Sequence, residues 1–472
     1  VTRTSTDRLR RPRRDRFRSR YLAVVVVLVV VGALAAVVGS HQGPRLREVS
    51  YDASGLVSKP AQRVILTANQ ALQPVRAADV RVRPAAAHTV TSSGNTIAVE
   101  FAGPLSYDRS YEIAVSGVRA PGQSATATLR TTVRTGSTDV LALVPAGSGR
   151  GKDRIVRRSL DAGGATTVYA DAGITEFARL GRSLVVVRDT GRGTSAVDVV
   201  PLAAGVRDDR APVEHLTLPT AAGRVTALHT ADDGASFGFE YADTSSGRST
   251  DVGLYVVDMT GTHMPTAVGA DGVPRTGVVP MTVGQWAYVP RTESALVRTS
   301  DDDLVLVDMS GSTPAVRLGS ATVLHGFVAS GTTAVVETGT GIDQLDLTDG
   351  RRTPVAAPAG SAEAPYLGRI APLTDRTYLR VVGTVRADGT LDQRILRVEP
   401  TRASRLAVTL PAEAGVTAVC PSPNGQFVAV TTRSASGDLV SVVDATTGAL
   451  EASVEASTVD WCGALPTGDE IG

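Results

Sequence analysis

Lysine, cysteine and aromatic residues are all scarce in this chain of 472 residues: two lysines, two cysteines, and only 4% Phe, Trp and Tyr. Each scarcity excludes something. Cys420 and Cys462 form no Cys-x-x-Cys pair, so a thioredoxin-like redox centre is ruled out, leaving a structural bond or two buried thiols. Aromatics at this level leave few platforms for stacking sugars; Trp286, Tyr288 and Trp461 are the large candidates, and core packing accounts for each equally well. The six histidines (His41, His88, His215, His229, His263, His325) are scattered, with no His-x-x-x-His spacing or neighbouring carboxylate pattern for zinc. No Gly-x-Ser-x-Gly elbow is present for a nucleophilic serine. Gly147-Ser-Gly-Arg-Gly151 lacks the Lys-Ser/Thr that completes a phosphate loop. Asp301-Asp302-Asp303 lacks the spaced Asp/Asn-Gly frame that wraps calcium, so a solvated turn is expected there. The expectation is therefore no catalytic residue, no cofactor site and no metal site.

What is present begins with one apolar run, Tyr21–Gly39, nineteen residues without a charge. As a helix it reaches about 28 Å, close to the ~30 Å hydrocarbon core of a bilayer. Its many valines do not argue against a helix in lipid, where the backbone has no other way to satisfy its amides. Nine arginines precede it against Asp7 and Asp15, which by the positive-inside rule puts residues 1–20 in the cytoplasm and the rest outside. The rival is a cleaved signal peptide with Ala33-Leu34-Ala35 at the cleavage site; the run continues past it to Val38, favouring an uncleaved signal-anchor. Either way the remainder is exported, and no later stretch is long and apolar enough to cross again.

The tail holds nine of the 48 basic and two of the 47 acidic residues, leaving 39 against 45 in the exported part, about −6. That balance disfavours nucleic acid as a partner. Valine, threonine, alanine and glycine dominate, with no amphipathic helical periodicity, so the exported part reads as all-β.

Over residues 45–134, short β-like runs follow one another: Arg63–Thr67, Val80–Arg83, Thr96–Phe101, Tyr111–Val115 and Ala125–Val133, with Ser93-Gly94-Asn95 as a hairpin turn. Seven or so strands in ~90 residues is the size of a β-sandwich. Pro74–Val82, Gly94-Asn95-Thr96-Ile97, Leu105–Tyr111 and the closing Thr-rich strand resemble bacterial Ig-like domains of surface proteins. The resemblance implies a spacer or adhesion module, with Tyr111 as a corner tyrosine bonding back to backbone.

From Asp139 onward a unit recurs about every 47 residues, most visibly as strands closed by aspartate: Gly253–Asp258, Leu304–Asp308, Gln344–Asp346 and Leu439–Asp444, followed by Ser/Thr and Gly. Such an Asp forms a side-chain-to-backbone turn. Ala231-Asp-Asp-Gly234 and Ser422-Pro-Asn-Gly425 mark the turn between first and second strands. Period and strand number predict a seven-bladed β-propeller over 138–472, with blades starting near 139, 174, 225, 283, 323, 369 and 416. The first blade lacks its innermost strand, and Thr458–Gly463 is a spare one, so the C-terminal strand is expected to close the ring. Aligning Val416–Cys420 with Thr458–Cys462 puts the two cysteines on neighbouring innermost strands, where a disulfide would staple the closure. The same alignment gives His229 the position of Cys420, making it a candidate for facing the channel. Ser422–Gly425, Val459-Asp-Trp461 and the Asp-closed strands are similar to WD-repeat, TolB-like and YVTN-type propellers, which implies ligand or protein binding more often than catalysis.

These readings combine into an all-β protein on a single-pass membrane helix, carrying an Ig-like sandwich and a propeller. The arginine-for-lysine bias is that of a high-GC bacterium, expected to be an actinobacterium. The expected role is non-catalytic binding of a protein or envelope component outside the cell membrane. The alternatives are an enzyme with its site in the central channel, or a purely structural or adhesive surface protein.

Overall fold

A computed structural model describes residues 14–40, 43–147, 151–160, 164–191, 193–202, 213–245, 252–328, 331–355, 366–387, 391–410 and 414–462. Most of the arginine tail, the centre of Gly147–Gly151 and the last residue of the expected closing strand lie outside these. The chain divides into two compact units, Val1–Gly136 and Ser137–Gly472.

The first unit opens with a helix, Arg14–Ser40. Among the described residues no helix is long and apolar enough to cross a membrane. Side chains of this helix are described only for Phe17–Gly32, so the expected crossing at Tyr21–Gly39 lies partly outside them. Seven strands follow in two antiparallel sheets. One runs in the order Leu46–Ser50, Arg63–Ala68, Thr96–Phe101, His88–Ser93; the other is Val80–Arg83, Ser110–Arg119, Thr126–Arg134. Alternation decides which side chains go inward: Ile97, Val99 and Phe101 of one sheet join Ile113, Val115, Leu129 and Val133 of the other in one core. Tyr111 is buried in that core, and its hydroxyl accepts the Ser106 backbone N–H at 3.2 Å, a bond five residues back along the chain.

The second unit is all β. Its described residues form seven antiparallel sheets in chain order, whose first strands after the opening sheet begin at Ile174, Gly223, Val283, Val323, Tyr366 and Gly415. Each first strand touches the first strand of the next sheet, and Asp460–Cys462 touches both Gly415–Pro421 and Ile174–Leu180. Sheets so arranged make a β-propeller. The opening sheet, Asp139–Val144, Asp153–Ser159 and Ala165–Asp171, takes its remaining strand from Thr458–Val459, with Thr458 opposite Leu143 and Val459 opposite Ala142. The third sheet carries a fifth strand, Pro274–Arg275, with no counterpart in the sequence period.

The aspartates that close the third strands work as local chemistry requires. Asp258 Oδ1 accepts both the N–H and the hydroxyl of Thr260 at 2.7 Å, and Asp346 Oδ1 does the same with Thr348 at 2.9 and 2.6 Å. Asp308 uses Ser310 and Asp444 uses Thr446 and Thr447. Hydrogen bonds to the ionised form hold Asp258 and Asp346 below the usual carboxylate range.

Candidate functional site

The polar chemistry of the propeller gathers where neighbouring sheets meet. Six of the first strands carry a register shift against their second strand, at Ile174/Glu176, Thr226/His229, Val283/Gln285, Leu324/Gly326, Leu367/Ile370 and Val416/Ala418. A bulge takes backbone N–H groups out of the ladder, and buried ones must find acceptors elsewhere. The preceding sheet supplies them. Glu176 accepts from Ala227 at 3.2 Å and Leu228 at 2.8 Å; Gln285 Oε1 accepts from Leu324 at 2.8 Å; Gln393 Oε1 accepts from Val416 at 2.6 Å. His325 Nδ1 accepts from Ile370 at 3.3 Å, which leaves Nε2 as the protonated nitrogen, facing Glu337 at 3.0 Å.

At the closing seam Asp460 Oδ1 accepts the Leu141 N–H at 2.9 Å, and its other oxygen takes Arg179 Nε at 3.1 Å. Arg179 also reaches Asp139 at 2.8 Å. Burial nevertheless pushes the Asp460 carboxyl up to about 6, outweighing the arginine. Beside this network Cys420 and Cys462 are joined as a disulfide with Cα atoms 4.9 Å apart.

His229 is half-buried and lies edge-on to Trp286 of the next sheet, ring centroids 4.7 Å apart. Its polar atoms are surrounded closely enough that burial lowers its pKa to about 4, so the ring is neutral at physiological pH. Trp286 and Tyr288 are core residues at 3% and 8% exposure, and Trp461 is half-buried. Asp302 pairs with Arg298 at 2.6 Å and Asp303 with Arg317 at 2.9 Å, so the aspartate triplet is a turn held by arginines.

Several groups in these seams carry no sequence motif. Glu240, on the second strand of the third sheet, is pushed up to about 7 by burial first and the Glu176 charge second. Asp198, fully buried, accepts from Arg188 Nε at 2.7 Å and lies 2.6 Å from His215 Nδ1. His263 touches Glu214 at 2.6 Å through Nδ1 and the Met259 carbonyl at 2.9 Å through Nε2. Two acceptors require two N–H donors, and the Glu214 carboxylate first, then the carbonyl, raises its pKa. Strand register brings His215 to Asp198, while His263 reaches Glu214 from a turn of the third sheet, 49 residues along the chain. Among the described residues no three of His, Cys, Asp and Glu are grouped so as to hold a metal ion.

No family model and no curated protein matches the chain. Among solved structures it is similar to the periplasmic gluconolactonase of Pseudomonas aeruginosa, at 13% identity and TM-score 0.40, over 69% of this chain and 99% of that one. It is also similar to the Swd1 β-propeller domain of Myceliophteria thermophila, at 14% and 0.37 over 61% and 88% of the two chains. AztD of Citrobacter koseri gives 15% and 0.36 over 68% and 83%. At such identities and scores these likenesses assign no activity, substrate or partner.

Proposed function

We propose that this chain is a membrane-anchored, extracytoplasmic binding protein. In this reading Tyr21–Gly39 is an uncleaved anchor, the arginines keep the N-terminus cytoplasmic, and an Ig-like sandwich is the spacer. A seven-bladed propeller, closed by its C-terminal strand, presents the binding face to a protein or envelope component. The observation that carries the binding role is the commitment of polar groups at the seams to joining sheets: Glu176, Gln285, His325 and Gln393 each accept a backbone N–H of the next sheet. A general acid or base has to be free to exchange its proton with a substrate. The disulfide supports an oxidising compartment.

A second reading, a propeller enzyme, is favoured by one residue, Glu240, whose carboxyl near 7 is poised for proton transfer at neutral pH. In-cell crosslinking of the tagged protein, followed by mass spectrometry, separates the two. One dominant partner attached through propeller peptides supports the binding role. Crosslinks confined to residues 45–134 make the propeller a passenger, and capture of nothing above background turns attention to Glu240.

A further inference from the structure

Most arginines that the propeller buries or half-buries are matched to acceptors, but among the described residues Arg158 Nε and Arg380 Nε are closed off without one. Arg179 has Asp139 and Asp460; Arg188 has Asp171 and Asp198; Arg397 has Glu399 and the Ala445 carbonyl. Arg380, at 6% exposure the most buried of all, has neither a hydrogen bond nor an ion pair among the described residues, and its Nε is closed off without an acceptor. It lies on Thr377–Val385, the second strand of the sixth sheet, between Tyr378 and Val382 on the same face. That face packs on Val328 and Val335 of the fifth sheet. A guanidinium in such surroundings cannot shed its charge by losing a proton, so its need for acceptors persists.

Glu337, whose carboxyl feels the Arg380 charge, forms no ion pair with it. Its Oε2 is engaged by His325 Nε2 at 3.0 Å, and His325 is fixed in turn by the Ile370 N–H. Two residues before Arg380 on the same strand face, the Tyr378 hydroxyl is likewise buried without a partner. Two residues with unmet donors thus follow one another on one face of the strand, their backbone positions about 7 Å apart. A group that only accepts hydrogen bonds, and carries negative charge, satisfies both. Carboxylates and phosphates do this with the planar fork of arginine.

We propose that the seam between the fifth and sixth sheets binds a small molecule bearing a carboxylate or phosphate, with Arg380 as the anion-binding residue and the Tyr378 hydroxyl as its second donor. This deepens the binding reading by naming the chemistry of a ligand. Isothermal titration calorimetry of the full chain, with inorganic phosphate and with acetate at constant ionic strength, tests it. Wild type is expected to bind at least one of them saturably at a single site; phosphate alone marks a phosphate ester, acetate alone a carboxylate. Arg380→Lys should weaken binding about tenfold or more, because the fork is lost. Tyr378→Phe should weaken it several-fold without lowering the thermal midpoint of the free protein, because the hydroxyl removed has no partner there. Absence of saturable binding by wild type overturns the proposal, and so does affinity unaltered in Tyr378→Phe and Arg380→Lys. If Arg380→Lys does not fold, the wild-type and Tyr378→Phe titrations decide. Failure here leaves the crosslinking result intact, and the converse holds too.

Discussion

Breaking the Cys420–Cys462 bond should cost the propeller unit several kilocalories per mole. The bond spans 42 residues, and the loop-closure entropy released to the unfolded chain on cutting it corresponds to about 4 kcal/mol at 25 °C. Unfolding entropy near 2 cal/mol/K per residue, over the roughly 340 residues of Ser137–Gly472, converts this into a fall in melting temperature of about 6 °C. Differential scanning calorimetry of wild type, with and without reductant, and of the double variant Cys420→Ser/Cys462→Ser measures it. Reductant should lower the wild-type transition to that of the double variant and leave the double variant unmoved. A transition within about one degree of oxidised wild type, in both the reduced protein and the double variant, would refute the reasoning: the closing strand would then be held by its ladder and by Asp460 alone.

Glu240→Gln should stabilise the propeller at pH 8 by up to about 3 kcal/mol and have little effect at pH 4. The sign follows from its raised pKa: the folded state binds the proton more tightly, so stability is highest below the unfolded value and declines as pH rises toward about 7. Urea midpoints across that range check it, and a parallel offset at all pH values counts against it. His263→Ala should cost more stability at pH 5 than at pH 9, because a raised histidine contributes below its unfolded pKa and loses that contribution as pH rises through the folded one; equal losses at both pH values contradict this. Gly238→Ala should destabilise by about 1–3 kcal/mol, since its Cβ would sit 2.7 Å from the Trp286 ring and 2.9 Å from the Tyr255 carbonyl, and an unchanged thermal midpoint would show that the seam can yield.

The elements legible in the sequence are those encoded within a few residues. Aspartates closing the third strands bond two residues ahead, and Ser422-Pro-Asn-Gly425 turns on its own Ser422 carbonyl and Gly425 N–H at 2.8 Å. Runs of β-forming residues mark Thr96–Phe101 and Tyr111–Val115, which fall on the strands Thr96–Phe101 and Ser110–Arg119. Leu46–Ser50 and His88–Ser93 passed unnoticed because their outward positions are polar and their inward ones only half-buried. The seam acceptors were illegible for another reason. Glu176 serves an amide 52 residues away and Asp460 one 319 residues away, so nothing local marks either. Asp198 meets His215 through strand register, and Arg380 draws attention only by what its surroundings fail to provide.

The strand that completes the opening sheet has a bearing on synthesis. Ribosomes make proteins from the N-terminus, so Asp139–Val144 emerges more than three hundred residues before Thr458–Val459 exists to pair with it. Throughout that interval the opening sheet presents a bare edge while the other six are finished behind it. A chain stopped before Thr458 would lack the pairing strand, the Asp460 carboxylate and one of the two sulfurs together. Synthesis of this late strand is thereby coupled to the integrity of the first sheet, and a product stopped before it is left with an unpaired edge that a protease can find.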